Sequence, residues 1–433
     1  MIRKQQIDSL IVLLLVAALP ISMLTDLGHA SGIFYVLIIV CTTVCFFRIG
    51  GIRATHASLA PYRGLAWALS AWIGVMAISV IYNHRLLDAE IERALRISVG
   101  PLIVLGACLT LIPQWLRQSV WGMACAAWAA TGYAVWLTWP DFRRPEDVPQ
   151  YNAVSYSNLL LLLAVITAYS IGWQLTRFRR LEKALKILTL VIGMVGLIAT
   201  QTRSGWLAIP IFLLIGLGLA GKRVSRGRLV AAGLTGIVLA AALFAANPIL
   251  RDRAQDVVNE VRACEASPTA VSSVCIRIQL WRAAWTMFKR NPILGNGSTD
   301  EFPRELQKLV AAKEISDFTI TEEFNEPHND MLFIMASHGV PGLLALLLVY
   351  LAPATIFLRR LALDLPQQTR VAAAIGLSVC LGFMVFGLTE LMFRGMRTMG
   401  FYAVMMGWAL ALSDPRALLN GALPAASAKR TAD

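Results

Sequence analysis

The chain has 433 residues, of which 57% are hydrophobic, and its mean hydropathy is +0.63. Those values are too apolar for a soluble protein of this length, so a water-soluble enzyme or binding module is excluded. The formal net charge of +13 sits largely in short turns between apolar runs; it reads as a topology signal and calls for no nucleic-acid partner.

Apolar runs of roughly 17–22 residues can each cross a hydrocarbon core of about 30 Å at about 1.5 Å per residue. They fall near 7–25, 31–47, 65–83, 97–113, 119–139, 156–174, 184–200, 204–221, 228–246, 335–358, 371–389 and 396–412. The expected fold class is an all-α polytopic membrane protein with about twelve transmembrane helices. The first run, which contains Pro20, is longer than a signal-peptide core and is read as a span. Basic residues crowd alternate loops: Arg3 and Lys4, then Arg48 to Arg63, Arg117, Arg177 to Lys183, Lys222 to Arg228, and Arg359 to Arg370. Positive loops face the cytoplasm, which places both termini there, the tail with Arg416, Lys429 and Arg430 included.

Residues 1–246 then hold the first spans, and 247–330 form one long external loop. The last spans lie in 331–413, and 414–433 form a cytoplasmic tail expected to be disordered. Within the loop the pattern predicts a helix over 251–263 and a second over 276–290. Ile278, Trp281, Trp285 and Phe288 are spaced as one apolar stripe that would dock on the bundle. A turn follows at 295–297, and Pro303 fits the first turn of a third helix reaching 313. Cys264 and Cys275 share this loop, in an oxidising compartment under this topology, and are expected to form a disulfide. Cys41, Cys45, Cys108, Cys125 and Cys380 lie in membrane runs and read as small apolar residues.

Few residues outside the spans suit chemistry. Arg203, in the turn TQTRSG at 200–205, is either an interfacial anchor or an anion clamp, since arginine at the membrane edge is costly unless it is paired or wet. Arg277 and Arg282 lie on the second loop helix, in RIQLWRAAW. They either meet loop carboxylates or present a cation beside Trp281, which shares a face with Arg277. His328 stands at the outer mouth of a membrane helix and could accept a proton near neutral pH; the plainer reading is a capping residue. His338, ten residues on, reads as packing. Glu322, Glu323, Glu326 and Asp330 crowd the approach to His328 and would bind a cation, orient the histidine, or be solvated. Asn329 supports His328, and Gly339 with Gly342 would let the following helix pack closely on a neighbour. No HExxH, Walker-type loop, Asp-x-Asp pair or dinucleotide fingerprint is present, so zinc-protease, ATP-driven and nucleotide-sugar chemistries lose their usual support.

Three segments together carry a family resemblance. His328-Asn329, nine residues, then Gly339-Val340-Pro341-Gly342 resembles the His-(Asn/Ser/Gln)-x9-Gly-x-x-Gly signature of the O-antigen ligases, within the O-antigen ligase/polymerase superfamily. Arg203 in TQTRSG looks like that family's Thr-x-(Ser/Thr)-Arg turn, with Thr202 as a variant. RIQLW followed by NPILGNG is similar to its Arg-x3-Trp … Pro-x-x-Gly-x-Gly segment. The motifs span about residues 195–345; the Cys264/Cys275 pair is no part of the pattern.

The resemblance implies an enzyme of the bacterial inner membrane with its active site facing the periplasm. It implies transfer of glycan from undecaprenyl pyrophosphate to a sugar hydroxyl of lipid A–core. His328 would be the general base, and Arg203, Arg277 and Arg282 would bind the donor pyrophosphate, with Asn329, Trp281 and Glu326 in support. The leaving group stores its own energy, so neither ATP, a metal nor another cofactor is expected. The nearest alternatives are an O-antigen polymerase or a protein O-oligosaccharyltransferase using the same donor. A transporter of lipid-linked glycan is a further alternative, disfavoured because the centres of the spans carry few ionisable groups.

Overall fold

The computed structural model describes residues 2–25, 28–48, 51–83, 88–140, 145, 148, 152–202, 204–221, 255, 259–264, 272–297, 299–321 and 324–416. In hydrocarbon a backbone must satisfy its own hydrogen bonds, which favours helices, and the described residues are all-helical. In chain order the helices are α1 (Ile2–Leu24), α2 (Ala30–Thr43), α3 (Gly51–Leu59), α4 (Arg63–Asn83), α5 (Asp88–Ser98), α6 (Gly100–Cys108), α7 (Pro113–Arg117), α8 (Val120–Thr138) and α9 (Ala153–Tyr169). They continue as α10 (Arg179–Ala199), α11 (Ile209–Ala220), α12 (Ser273–Arg290), α13 (Phe302–Ala311), α14 (Phe318–Thr321), α15 (Asp330–Ala362), α16 (Gln367–Phe386) and α17 (Met396–Leu412).

Among the described residues 7 helical stretches are long and apolar enough to cross a membrane, and Ser204–Ala220 is a shorter apolar one. The expectation of about twelve spans differs for identifiable reasons. The run at 97–113 is broken where Gly100 and Pro101 start α6, leaving a polar α5 and a nine-residue α6. The run at 184–200 belongs to α10, whose first turns carry Arg179, Arg180, Glu182 and Lys183. The last run is α17, only 17 residues long. The run at 228–246 lies outside the described residues, as do most of the helix expected at 251–263 and the tail from 417. Multiple apolar helices make this a multi-pass membrane protein.

α9 and α16 are enclosed along nearly their whole length and form the centre of the bundle. α15 packs along α16 and α4, α17 along α6, and α10 along α9 and α8. Leu14, Ile39, Val191 and Leu213 point outward, as expected where lipid is as apolar as the side chain.

α15 is kinked at Gly339, whose φ of +64° and ψ of −156° are not helical. Segment 291–297 lies across the kink. Val340 N donates to Pro292 O (2.9 Å), Asn296 N to Ala336 O (2.8 Å) and Gly297 N to Ser337 O (2.8 Å). A Cβ on Gly339 would stand 2.4 Å from Ile293 O, and one on Gly295 (φ +63°) would stand 2.5 Å from His338 N. Gly339 therefore admits a loop where a close helix–helix approach was expected. At Gly342 a Cβ would meet His338 Cβ at 2.6 Å and Ile334 Cγ2 at 2.9 Å, both on the same helix.

Ser272 caps α12 by accepting from Cys275 N (3.2 Å), and the helix ends before Pro292. Its docked face is Ile276, Leu280, Ala283, Ala284 and Met287, packed with Phe302, Leu306 and Leu309 of α13 and Phe333 of α15. The expected stripe of Ile278, Trp281, Trp285 and Phe288 is the neighbouring face: Trp285 is 45% exposed and its ring meets that of Phe288. The apolar residues made two stripes, and the one with small Ala283 and Ala284 allows the closer packing. Cys264 and Cys275 are disulfide-bonded, tying residues 259–264 to the first turn of α12.

Candidate functional site

The site is built where α15 begins, beneath α12 and beside the turn 387–395 that joins α16 to α17. Pro327 precedes His328, whose φ of +49° lies in the left-handed region, a conformation that costs a non-glycine residue of order 1–3 kcal/mol and gathers at functional sites. Asn329 then caps α15: its Oδ1 accepts from Leu332 N (3.0 Å) while Nδ2 donates to Leu388 O (3.0 Å). This cap fixes the exit of the chain and so the direction of the imidazole.

His328 Nδ1 is 3.2 Å from Glu390 Oε1 and 3.5 Å from Glu326 Oε1. Glu390 is only 2% exposed; it also accepts from Asn152 Nδ2 (2.8 Å) and from its neighbour Leu391 N (3.0 Å). Glu326 is held by Arg394, whose guanidinium also lies over the Phe333 ring, 5.7 Å from its centroid. Phe324 meets the imidazole edge-on at 5.9 Å. Burial opposes protonation of His328, and the nearby Arg277 charge adds to that. The hydrogen bond and charge of Glu390, with Glu326, outweigh both, so the imidazole keeps its proton above the ordinary 6.5. Burial alone would raise Glu390, but the His328 contact, Leu391 N and Asn152 hold it below the ordinary carboxylate value. With Nδ1–H given to Glu390, Nε2 is left with a lone pair, the arrangement in which a carboxylate sets a histidine's tautomer.

Of the other expected residues, Arg277 is half-buried on α12 within electrostatic reach of His328. Trp281 donates Nε1–H to Pro327 O (2.9 Å), pinning α12 onto the histidine loop. Arg282 is exposed on the same helix. Arg203, Glu322 and Glu323 lie outside the described residues; beside Arg203, Ser204 Oγ donates to Asn158 Oδ1 (3.1 Å) and Thr202 is buried. Asp330 is not part of a solvated acidic approach. It is 2% exposed and accepts from Met392 N and Phe393 N (3.1 Å each) and from the Tyr350 hydroxyl (3.2 Å). It shapes the turn that carries Glu390 and Arg394.

Glu390, Arg394 and Asn152 had no assigned role in the sequence. The signal was there: TELMFRGMR puts Glu390, Arg394 and Arg397 into one short turn between two apolar runs, and Asn152 stands three residues before Ser155, whose N–H its side chain caps (2.8 Å). His338 sits one residue before the kink at Gly339. It is buried, neither ring nitrogen has a hydrogen-bond partner among the described residues, and Nε2 is 3.9 Å from Glu90 Oε1. Glu90 accepts from Thr299 N and Oγ1 (2.9 Å each), and Arg93 Nη1 donates to the same hydroxyl (3.2 Å). Together these fix Thr299 to α5, while segment 291–297 is held at the α15 kink.

Glu326, His328 and Glu390 each offer one ligand atom, all within 4.8 Å of one another, a spacing that suits one divalent cation. Both carboxylates already have protein partners in Arg394 and Asn152. The arrangement can therefore take a proton from an incoming group at His328, beside a cationic helix face.

An uncharacterized protein of Haemophilus influenzae is similar to this chain, 25% identical over 165 residues; the match spans 37% of this chain and 39% of that protein's length. Residues 188–347, which hold Arg203, α12 and the His328 loop, match the model of a family described as O-antigen ligase. Over that segment the chain is similar to the O-antigen ligase/polymerase superfamily.

Proposed function

We propose that the protein is an O-antigen ligase, a glycosyltransferase that moves glycan from undecaprenyl pyrophosphate to a sugar hydroxyl of lipid A–core at the periplasmic face of the inner membrane, with both termini in the cytoplasm. The family implies O-antigen ligase- or polymerase-type glycosyl transfer, a lipid-linked donor and a lipid-like acceptor. The single observation that carries the finer reading is the contact of His328 Nδ1 with the buried Glu390 carboxylate at 3.2 Å, which leaves Nε2 to act as base.

In this reading the acceptor hydroxyl attacks the anomeric carbon of the donor. A carbon–oxygen bond forms, the bond from that carbon to the pyrophosphate oxygen breaks, and the hydroxyl proton passes to His328 Nε2. Base assistance of this kind supplies typically about 10²–10⁴-fold. The developing pyrophosphate charge is met by Arg277, with Arg282 and Arg203 as further ligands; guanidinium forks suit phosphate oxygens. Trp281 and Asn329 hold the histidine loop, and Glu326 backs Glu390 at Nδ1 of the imidazole. A direct displacement inverts the anomeric centre.

The test is to incubate the purified protein with a polyprenyl-pyrophosphate glycan and lipid A–core, without ATP, and to look for the joined product. Lengthened glycan on the donor would make the protein a polymerase. Glycan on a Ser- or Thr-bearing peptide would make it a protein oligosaccharyltransferase.

A further inference from the structure

A cavity of about 450 Å³ opens at the end of the bundle opposite His328. α9 sets the separation. Asn152, which precedes it, holds Glu390, while Trp173, just beyond it, donates Nε1–H to Gln368 O on α16 (2.9 Å). The 17 residues of α9 lie between, or roughly 25 Å of helix at about 1.5 Å per residue. The site of glycan transfer therefore has no part in this cavity.

Its walls are chemically one-sided. Gln114, Gln118, Gln174 and Gln368 line it with Trp115, and no carboxylate does. Gln118 Nε2 donates to Leu175 O (2.8 Å), closing one wall. At the bottom is Arg117, 7% exposed. Its Nη1 donates to Gln368 Oε1 (2.6 Å), its guanidinium lies 5.7 Å from the Trp173 ring centroid, and its Nε has no partner among the described residues. No ion pair involves Arg117 among the described residues. Lys186, buried more deeply still, has Glu182 at 2.7 Å. Among the described residues this buried guanidinium faces neutral amides and a ring, which leaves it undercompensated, and the cost of burying such a charge is relieved by an anion. Exposed Arg177, Arg179 and Arg180 follow Leu175 in the chain and make the approach cationic.

We propose that this cavity is a binding site for a phosphate-bearing anion, held by the Arg117 guanidinium and by the side-chain amides of Gln114, Gln118, Gln174 and Gln368. Arginine matches phosphate through paired N–H donors, and amide groups donate to the remaining ester oxygens. Basic pockets between membrane helices take phospholipid headgroups in this way; a soluble phosphate ester offers the same chemistry.

Native mass spectrometry of the purified full-length chain tests this, with short-chain phosphatidylglycerol as probe and diacylglycerol of equal chain length as the phosphate-free control. The expected result is a saturable phosphatidylglycerol adduct that diacylglycerol does not give, weakened about tenfold or more in Arg117→Gln, the loss of one charge-assisted contact. Glycerol phosphate that competes at similar concentration assigns the site to free phosphate esters; failure to compete assigns it to lipid. Gln114→Leu changes an exposed wall residue, so it tests the site even if Arg117→Gln does not fold, and it too is expected to weaken the adduct. Equal retention of diacylglycerol, or binding unchanged in either variant, overturns the proposal.

Discussion

His328 Nδ1 and Glu390 Oε1 lie 3.2 Å apart across 62 residues of sequence, one at the mouth of α15 and the other in the turn between α16 and α17. The contact orients the imidazole and stabilises its charged form, as expected of the partner of a general base. Replacing Glu390 by Gln keeps the shape and removes the charge. The expected outcome is a folded protein whose transfer rate falls about 10²-fold or more, measured as joined product per minute with saturating donor.

The pH profile follows from the same pair. A base works in its unprotonated form, and the His328 proton is held above 6.5. The wild-type rate should rise with pH through a midpoint above 6.5. Glu390, held below its ordinary value, stays ionised throughout that range. In Glu390→Gln the midpoint should move to lower pH. The stability that His328 gains from its carboxylates has the opposite sense: it is complete below 6.5 and lost as pH rises through the raised value. A wild-type rate midpoint at or below 6.5 would contradict the account.

Asp330 and His328 should separate stability from activity. Asp330→Ala leaves Met392 N, Phe393 N and the Tyr350 hydroxyl without their acceptor, at about 1–3 kcal/mol for each buried group left unsatisfied. Thermal unfolding in detergent should show a large drop in Tm for Asp330→Ala. His328→Ala leaves no buried backbone donor without its acceptor and should lower Tm less than Asp330→Ala does.

Gly339→Ala puts a methyl 2.4 Å from the Ile293 carbonyl at a φ of +64°. The backbone term alone is of order 1–3 kcal/mol, and the clash is with backbone that cannot swing aside. The expected outcome is a protein that inserts into membranes yet has a lowered Tm and little transfer, because segment 291–297 is displaced from the kink.

Chelation addresses the Glu326–His328–Glu390 trio. Its carboxylates are engaged by Arg394 and Asn152, so transfer should survive an excess of EDTA. Loss of activity that a divalent cation restores would assign the trio to a metal.

Much of the site was legible because it is local in sequence. His328, Asn329 and Gly339 belong to one helix mouth, and Arg277 and Trp281 to one helical face, where spacing alone puts residues together. Glu390, Arg394 and Asn152 reach His328 only through the packing of α9, α16 and α17, which no spacing encodes. The docked face of α12 was misplaced for a related reason. Two apolar stripes ran along the helix, and the choice between them depended on how closely Ala283 and Ala284 let α13 and α15 approach. Composition made the helical, membrane-embedded class plain. It did not show that Gly100 and Pro101 would break one apolar run, or that α10 would begin with charged turns.

The most direct test of the central claim is a single-turnover measurement of glycan transfer to lipid A–core by wild type and by His328→Ala, with donor binding measured in parallel. The variant is expected to insert, bind donor and transfer about 10²–10⁴-fold more slowly. A variant that transfers at the wild-type rate would contradict the assignment of His328 as the base.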